Sequence, residues 1–270
     1  MTTARLAPRT ALFLPASNPR AIEKARGLAA DLVILDLEDA VKDADKVSAR
    51  LAAVEAVALG FGARLSAIRL NGIGSSEHPA DIRAVAGSAA DFAVLPKAES
   101  AAEVAQVAKA LGKPLLAMVE TPRGVLAAAE IAAMPGAAGL IAGTNDLAAS
   151  LHLPPSSGRA QMSVALQTIV LAARAGQVWA LDGVFNRLDD PEGLAAECRD
   201  GRALGFDGKS LIHPNQIDIA ASAFGPTEQE LEDARALIAA ATGGAERYQG
   251  RMIETMHVDQ ARALLDRGSD

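Results

Sequence analysis

The sequence predicts an α/β fold: a TIM (β/α)8 barrel followed by a C-terminal helical extension. The chain has 270 residues, and roughly 250 is typical of such a barrel. Eight short apolar runs alternate with Ala-rich amphipathic segments, which is the pattern of a parallel sheet covered by helices. A doubly wound open sheet, which has the same alternation, is the second choice.

The eight apolar runs predict strands that are buried on both faces. In chain order they are 11–16, 32–39, 66–72, 92–98, 115–121, 139–146, 178–185 and 205–213. The segments between them, such as "SAAEVAQVAKAL", place charged residues on one helix face and apolar residues on the other. The longest interval, 147–177, contains a Pro/Ser/Gly loop before a helix.

The alternation stops near residue 225, so we predict a barrel domain over 1–225 and an extension over 226–270. Helical segments are expected at about 227–242 and 257–267. The glycines of "GGAERYQGRMIE" suggest a hinge, with Tyr248, Met252 and Ile253 as apolar docking anchors. This stretch predicts a lid over the barrel mouth, in contact with a neighbouring subunit. The alternative is that the extension only covers barrel helices and builds the oligomer.

Composition narrows the class of partner. The net charge is −7 and only 3% of residues are aromatic, which argues against nucleic acid as a partner. No apolar run approaches the ~18 residues of a membrane span. The single cysteine, Cys198, rules out an internal disulfide and suits a reducing compartment. We therefore expect a cytoplasmic protein that binds neither nucleic acid nor membrane.

The stretch "LVILDLEDA" runs a buried strand directly into three carboxylates. In a TIM barrel the carboxyl ends of the strands form the rim of the active site, where such charge is accessible. Other predicted strands end in the same way. The polar residues at these ends are Asp36, Glu38, Asp39, Arg69, Asn71, Lys97, Glu120, Asn145, Asp146, Asp182, Asn186, Lys209 and His213.

Clustered carboxylates without a Cys or His cluster indicate Mg²⁺, with Mn²⁺ as the second choice. Glu120 and Asp146 end adjacent predicted strands, so we expect them to be the direct ligands. Asp36, Glu38 or Asp39 would then hold metal-bound waters. The alternative is that these acids cap helices or pair with lysines.

Arg69 and Asn71 are the expected substrate-binding residues, together with Glu120. A guanidinium binds a carboxylate through two parallel hydrogen bonds, which a lysine cannot do. The alternative is a structural salt bridge from Arg69 to Asp36 or Glu38. Lys97 and Lys209 raise a competing mechanism, a Schiff-base aldolase. Neither lysine has bulky apolar neighbours on both sides, so this mechanism is disfavoured.

The sequence resembles the citrate lyase β-subunit-like family of the HpcH/HpaI aldolase superfamily, which is related to malyl-CoA and citramalyl-CoA lyases. The resemblance covers about 8–255 through "LFLPASNPRAIEKA", "VILDLEDAV", "IRLN", "VLPKAES", "VETPRGV", "IAGTNDLAASL" and "LGFDGKSLIHPNQI". It implies a trimeric TIM barrel that carries Mg²⁺ on Glu120 and Asp146, with Arg69 on the substrate carboxylate. The implied reaction cleaves a 3-hydroxy-3-carboxyl thioester of CoA or a carrier protein into an acyl thioester and a 2-oxo acid.

One departure concerns the C-terminal stretch. The family ends in a Gly-Lys-Met-Ile-Asp-like sequence whose Asp reaches a neighbouring active site, whereas this chain has "GRMIETMH" with Glu254 at that place. The expected function is a metal-assisted lyase in which Arg69, Glu38, Asp36 and Glu254 are catalytic. Two alternatives stay open: hydrolysis or synthesis of the same thioesters, and a non-catalytic binder of acyl-CoA or carrier protein.

Overall fold

The computed structural model describes residues 6–268 and contains a closed barrel of eight parallel strands in sequential order, with β8 pairing back to β1. This confirms the predicted TIM barrel. The strands are β1 Thr10–Pro15, β2 Leu32–Asp36, β3 Leu65–Arg69, β4 Phe92–Leu95, β5 Leu115–Val119, β6 Ala137–Ala142, β7 Trp179–Asp182 and β8 Gly208–Leu211.

Helices follow the strands around the barrel. They are α1 Pro19–Ala25, α2 Lys46–Leu59, α3 His78–Ala86, α4 Ala101–Leu111, α5 Pro122–Ala132, α6 Thr144–Ser150, α7 Ser163–Gly176, α8 Pro191–Leu204 and α9 Ile217–Phe224. Local capping fixes several starts: Ser100, Thr121 and Asp190 accept the backbone N–H three residues further on. Among the described helices, none is long and apolar enough to cross a membrane.

The barrel interior is packed mainly with aliphatic side chains, including Ala11, Ile34, Val94 and Leu181. Its few aromatic residues include Phe92 and Trp179, whose ring centroids lie 5.1 Å apart. Successive residues of a strand face opposite sides of the sheet. A residue next to one of these core residues in the same strand therefore faces outward from the barrel. The interior face of β7 therefore carries Leu181, while Asp182 faces outward.

The strands end earlier than the sequence runs predicted. β2 ends at Asp36, so Glu38 and Asp39 lie in the following loop, and Asn71 likewise lies beyond β3. Asp146 was expected at the end of a strand, but it lies in the first turn of α6. The apolar runs were correctly predicted to be strands. Four polar residues that follow these runs lie outside the sheet: Glu38, Asp39, Asn71 and Asp146.

Among the described residues, 222–268 belong to a second compact unit. It contains α10 Glu228–Ala240, a hairpin of β9 Glu246–Tyr248 and β10 Arg251–Ile253, and α11 Thr255–Gly268. Both predicted helical segments are present; the hairpin was not predicted. Its turn has positive φ at Gln249 (48°) and Gly250 (84°), as a two-residue type I′ hairpin requires.

Candidate metal and substrate site at the barrel mouth

A cavity of about 420 Å³ lies at the carboxyl ends of the barrel strands. Four of the predicted site residues line it together: Asp36, Arg69, Glu120 and Asp146. Asp39 is an exposed neighbour in the same lining. Asn145, another of the polar residues expected at the strand ends, also lines the cavity. Residues that the sequence did not single out complete the walls, namely Phe13, Leu14, Pro15, Ala40, Met118, Ala142, Gly143, Thr144, Val184, Ser210 and Ile212.

Asp36 and Arg69 are register partners on β2 and β3 and form a two-point ion pair. Arg69 Nε donates to Asp36 Oδ1 and its second terminal nitrogen donates to Oδ2, both at 2.6 Å. Asp36 also accepts the backbone N–H groups of Glu38 and Ala40, at 2.9 and 3.0 Å. Each Asp36 oxygen thus has two donors, which opposes the predicted role of Asp36 as a holder of metal-bound water.

This pairing is the salt-bridge alternative foreseen for Arg69. The fork of the guanidinium is occupied by Asp36, so it is not free for a substrate. The remaining nitrogen, NH1, lies 3.0 Å from Glu38 Oε2, and the guanidinium carbon is 5.2 Å from the centre of the Phe13 ring. Any contact of Arg69 with a substrate carboxylate must therefore use the NH1 side.

Glu38 is 7% exposed and lies between Arg69 and Lys97. Its Oε1 accepts from Lys97 Nζ at 3.1 Å, while Oε2 finds no hydrogen-bond partner of good geometry among the described residues. Burial raises the pKa of the Glu38 carboxyl above its usual range, against the lowering effect of the Arg69 charge. Glu38 is thus a buried acid that is only partly compensated.

Glu120 follows β5 and is 2% exposed. Its Oε1 accepts the backbone N–H of Lys97 at 2.7 Å, a bond directed by the left-handed backbone of Lys97 (φ 49°). On the other side lies Gly143, where an added Cβ would come within 2.5 Å of Glu120 Oε2. Burial, followed by the charges of Glu38 and Asp146, raises the pKa of Glu120 to about 7.

The donor set fits a hard divalent cation. Among the described residues Glu120 forms no salt bridge, and the negative charge of Asp146 is near enough to raise the pKa of Glu120. A bound cation would remove that repulsion. No group of three or more His, Cys, Asp or Glu side chains in 6–268 is arranged as a metal site. Mg²⁺ commonly uses only one or two carboxylates and completes its octahedron with waters and substrate oxygens.

Glu38 and Asn71 are not among the described residues that line this cavity. The Asn71 side chain and backbone N–H both donate to Asp81 Oδ2, at 2.7 and 2.8 Å, and Arg50 Nε donates to Oδ1 of the same acid. Asn71 therefore supports α3 instead of facing Arg69 across the cavity. Glu254 belongs to the second unit, where it is exposed and its backbone N–H donates to His257 Nδ1 at 2.9 Å.

Asp182 and Lys209, both expected at the rim, face outward from the barrel wall. Lys209 Nζ lies 3.0 Å from Asp182 Oδ2 and 2.7 Å from Glu197 Oε1 on α8, and both Asp182 and Lys209 are fully buried. Arg159 pairs with the same Asp182 at 2.9 Å and with Asp200 at 2.8 Å. Lys209 is therefore unavailable for Schiff-base chemistry, and Lys97 is held by Glu38.

The predicted anchors of the C-terminal segment are also corrected. Ile253 is 1% exposed and packs with Ala234 and Leu237 inside the second unit, with Tyr248 against the same cluster. Of the three, only Met252, 67% exposed, is available for docking. Cys198 is buried, and burial raises the pKa of its thiol to about 11, as expected for a packing residue.

Known proteins resemble the chain along nearly its whole length. A (3S)-malyl-CoA thioesterase of Cereibacter sphaeroides is 44% identical over 266 residues, covering 95% of this chain and 93% of the relative. The citrate lyase subunit beta of Leuconostoc mesenteroides subsp. cremoris is 34% identical, covering 95% and 92%. The crystal structure of protein CitE from Mycobacterium tuberculosis with magnesium, acetoacetate and coenzyme A matches with TM-score 0.84 and 37% identity, covering 98% and 99%.

The family model that matches describes HpcH/HpaI aldolase/citrate lyase and aligns with residues 9–214, which include all eight barrel strands and the cavity at their carboxyl ends. With the two relatives, this identifies the chain as a member of the HpcH/HpaI aldolase/citrate lyase family.

Proposed function

We propose that this protein is a Mg²⁺-dependent carbon–carbon lyase that cleaves a 3-hydroxy-3-carboxyl acyl-CoA into an acyl thioester and a 2-oxo acid. The observation that carries the proposal is the buried Glu120 beside Asp146: Glu120 lines the cavity and forms no salt bridge among the described residues, and burial, followed by the charges of Glu38 and Asp146, raises its pKa. The CitE structure bound to magnesium, acetoacetate and coenzyme A supports the same ligand classes.

Glu120 and Asp146 would hold the metal, which supplies Lewis-acid stabilisation on the order of several kcal/mol. Lys97 positions Glu120 through its backbone N–H, and Gly143 leaves room beside the carboxylate. Asp36 acts through Arg69: its two short hydrogen bonds fix the guanidinium plane and leave only NH1 for a substrate carboxylate. In this assignment Arg69 binds the substrate carboxylate and Asp36 is a positioning residue.

The reaction removes the proton of the substrate hydroxyl, breaks the adjacent carbon–carbon bond and sends the electron pair to the α-carbon of the thioester. A proton acceptor is therefore needed for the hydroxyl proton, and the enolate formed by the cleavage takes up one proton at its α-carbon to become the acyl thioester, so that no proton is gained or lost overall. Glu38 has an oxygen without a good hydrogen-bond partner among the described residues. Glu254, carried by the C-terminal lid of a neighbouring copy in a homotrimer, is the other candidate. The lid and the trimer remain proposals.

Thioester hydrolysis is a second candidate, because the 44% identical relative is named a (3S)-malyl-CoA thioesterase. The same pocket could orient the hydroxy acid while water attacks the thioester carbonyl. The products separate the two reactions: a lyase yields a 2-oxo acid and retains the thioester, whereas a thioesterase yields the hydroxy acid and free CoA thiol.

The test incubates the purified protein with malyl-CoA, citramalyl-CoA and citryl-CoA, in EDTA and then with excess Mg²⁺ or Mn²⁺. We expect the 2-oxo acid to appear without an equivalent of free thiol, and only with metal. Release of free thiol without the 2-oxo acid would show that the protein is a thioesterase and not a lyase. Binding of CoA thioesters without any turnover would indicate a non-catalytic binder.

A further inference from the structure

Ser210 carries a buried hydroxyl that faces the mouth cavity and forms no hydrogen bond within 6–268. It lies on β8, is 1% exposed and lines the cavity. Its Oγ finds no hydrogen-bond partner among the described residues. Buried hydroxyls are normally hydrogen-bonded, so an unpaired one that faces a cavity calls for a ligand atom.

The strand register places Ser210 on the wall facing Glu120. Met118, Ile141, Leu181 and Gly208 are successive register partners on β5, β6, β7 and β8. Two residues further along each strand, on the same face, come Glu120, Gly143, Gly183 and Ser210. Two glycines thus separate the acid from the hydroxyl, along roughly 14 Å of wall at about 4.8 Å per strand.

The two walls differ in charge. Asp36, Arg69 and Glu120 lie on the side of β2, β3 and β5, and Arg69 is the sole basic side chain among the described residues that line the cavity. On the side of Ser210 the lining includes the apolar residues Val184 and Ile212. A carboxylate placed there would lack a counter-charge, whereas a neutral carbonyl oxygen needs only one donor.

We infer that the Ser210 hydroxyl donates a hydrogen bond to the thioester carbonyl oxygen of the substrate. This assignment rests on the proposed function and gives the substrate a direction. The carboxylate and hydroxyl lie at the charged wall, and the acyl thioester lies along the apolar wall of β8. When the carbon–carbon bond breaks, electron density moves onto this carbonyl oxygen, so the hydrogen bond strengthens as the reaction proceeds.

The test compares Ser210→Ala with Ser66→Ala. Ser66 is also a buried strand serine, but it lies on the outer face of β3 and its Oγ donates to Asp91 at 3.2 Å. Ser210→Ala removes an unpaired polar atom, so its Tm should equal or exceed that of the wild type, while kcat/KM falls roughly tenfold or more. Ser66→Ala should lower Tm and leave kcat/KM unchanged.

Binding with Mg²⁺ present separates this inference from the proposed function. Ser210→Ala should lower the affinity for acetyl-CoA several-fold and leave the affinity for oxaloacetate unchanged. If Ser210→Ala matches the wild type in acetyl-CoA affinity and turnover, the inference is wrong while the lyase stands. If it weakens acetyl-CoA but the wild type cleaves no thioester, the carbonyl contact stands and the proposed function fails. If the wild type does not bind acetyl-CoA, both are overturned.

Discussion

The barrel wall carries two buried charge clusters that differ in how their charges are balanced. In the outer cluster, Arg159 and Lys209 each contact two or more of the acids Asp182, Glu197 and Asp200. In the mouth cluster, Arg69 and Lys97 contact Asp36 and Glu38, while Glu120 and Asp146 form no salt bridge among the described residues.

Sequence alone does not separate these clusters, because both consist of acids and bases near strand ends. The difference is that every acid of the outer cluster contacts a cation, whereas Glu120 and Asp146 of the mouth cluster line a cavity and contact no cation among the described residues. Acids without a cationic partner beside a cavity indicate a site for a cation, and acids that are all paired within the barrel wall indicate a structural role.

The largest effect is expected from Glu120→Gln, which removes the charge of a proposed metal ligand without changing the shape of the side chain. Activity should fall by about 10²-fold or more, since Lewis-acid stabilisation is worth on the order of several kcal/mol. Titration calorimetry with Mg²⁺ should show a matching loss of affinity. The control is Glu130→Gln on the exposed face of α5, which should behave as the wild type. Unchanged Mg²⁺ affinity in Glu120→Gln would remove Glu120 from the metal site.

Lys209→Met tests the outer cluster. It leaves Asp182 buried with one cation fewer, and breaking a buried pair costs about 3–5 kcal/mol. We expect a large decrease in the free energy of unfolding measured by urea denaturation, with kcat/KM per folded molecule unchanged. A variant of near-native stability that has lost activity would show that Lys209 belongs to the chemistry after all.

The pH dependence of stability follows from the pKa of Glu120, which is raised from its ordinary value of 4.5 to about 7. The metal-free folded state binds this proton more tightly than the unfolded state. Protonated Glu120 therefore adds to the free energy of unfolding. This stabilisation is fully present below pH 4.5 and is lost as pH rises through about 7. The shift corresponds to about 3 kcal/mol.

Urea titrations at pH 5 and pH 8 measure this loss. It should be largest in EDTA, shrink with Mg²⁺, and be absent from the Glu120→Gln variant. A difference between the two pH values that is the same in wild type and variant would assign it to other groups.

Much of the fold could be predicted because strands buried on both faces give continuous apolar runs, and all eight were found. The sequence did not predict where the strands end, or which face of the short strands points into the barrel. In β7 and β8, with four residues each, alternation does not reveal which face is the interior. Asp182 and Lys209 were therefore misplaced, and Ser210 between Lys209 and Leu211 was missed.

The site was predicted in type and only partly in arrangement. Glu120, Asp146, Asp36 and Arg69 do line one cavity, since the carboxyl ends of parallel strands converge. That Asp36 occupies the Arg69 fork depends on the register between β2 and β3, a non-local property. The hairpin of β9 and β10 was missed because its glycine was interpreted as a hinge instead of a turn.

Arg69→Lys compares the guanidinium with a point charge in the mouth cluster. Lysine lacks the planar guanidinium that makes two parallel hydrogen bonds. Loss of this group should lower kcat/KM by a factor that corresponds to roughly 1.5–3 kcal/mol of transition-state stabilisation. Because Asp36 also loses a partner, stability should fall as well. Arg50→Lys is the control: Arg50 bonds Asp81 and Glu77 away from the cavity, so stability alone should fall. Equal activity of the two variants would make Arg69 a structural residue.

The smallest effect is expected from Lys97→Met, which separates the two contacts of Lys97. The backbone N–H that holds Glu120 remains, while the ion pair with Glu38 is lost. The Lys97 side chain is 45% exposed, so the pair is worth only about 0.2–1 kcal/mol. Mg²⁺ affinity should stay within about threefold of the wild type, and stability should change by less than about 1 kcal/mol. A loss of Mg²⁺ affinity as large as that of Glu120→Gln would mean that the Lys97 ammonium, and not its backbone, positions the metal ligand.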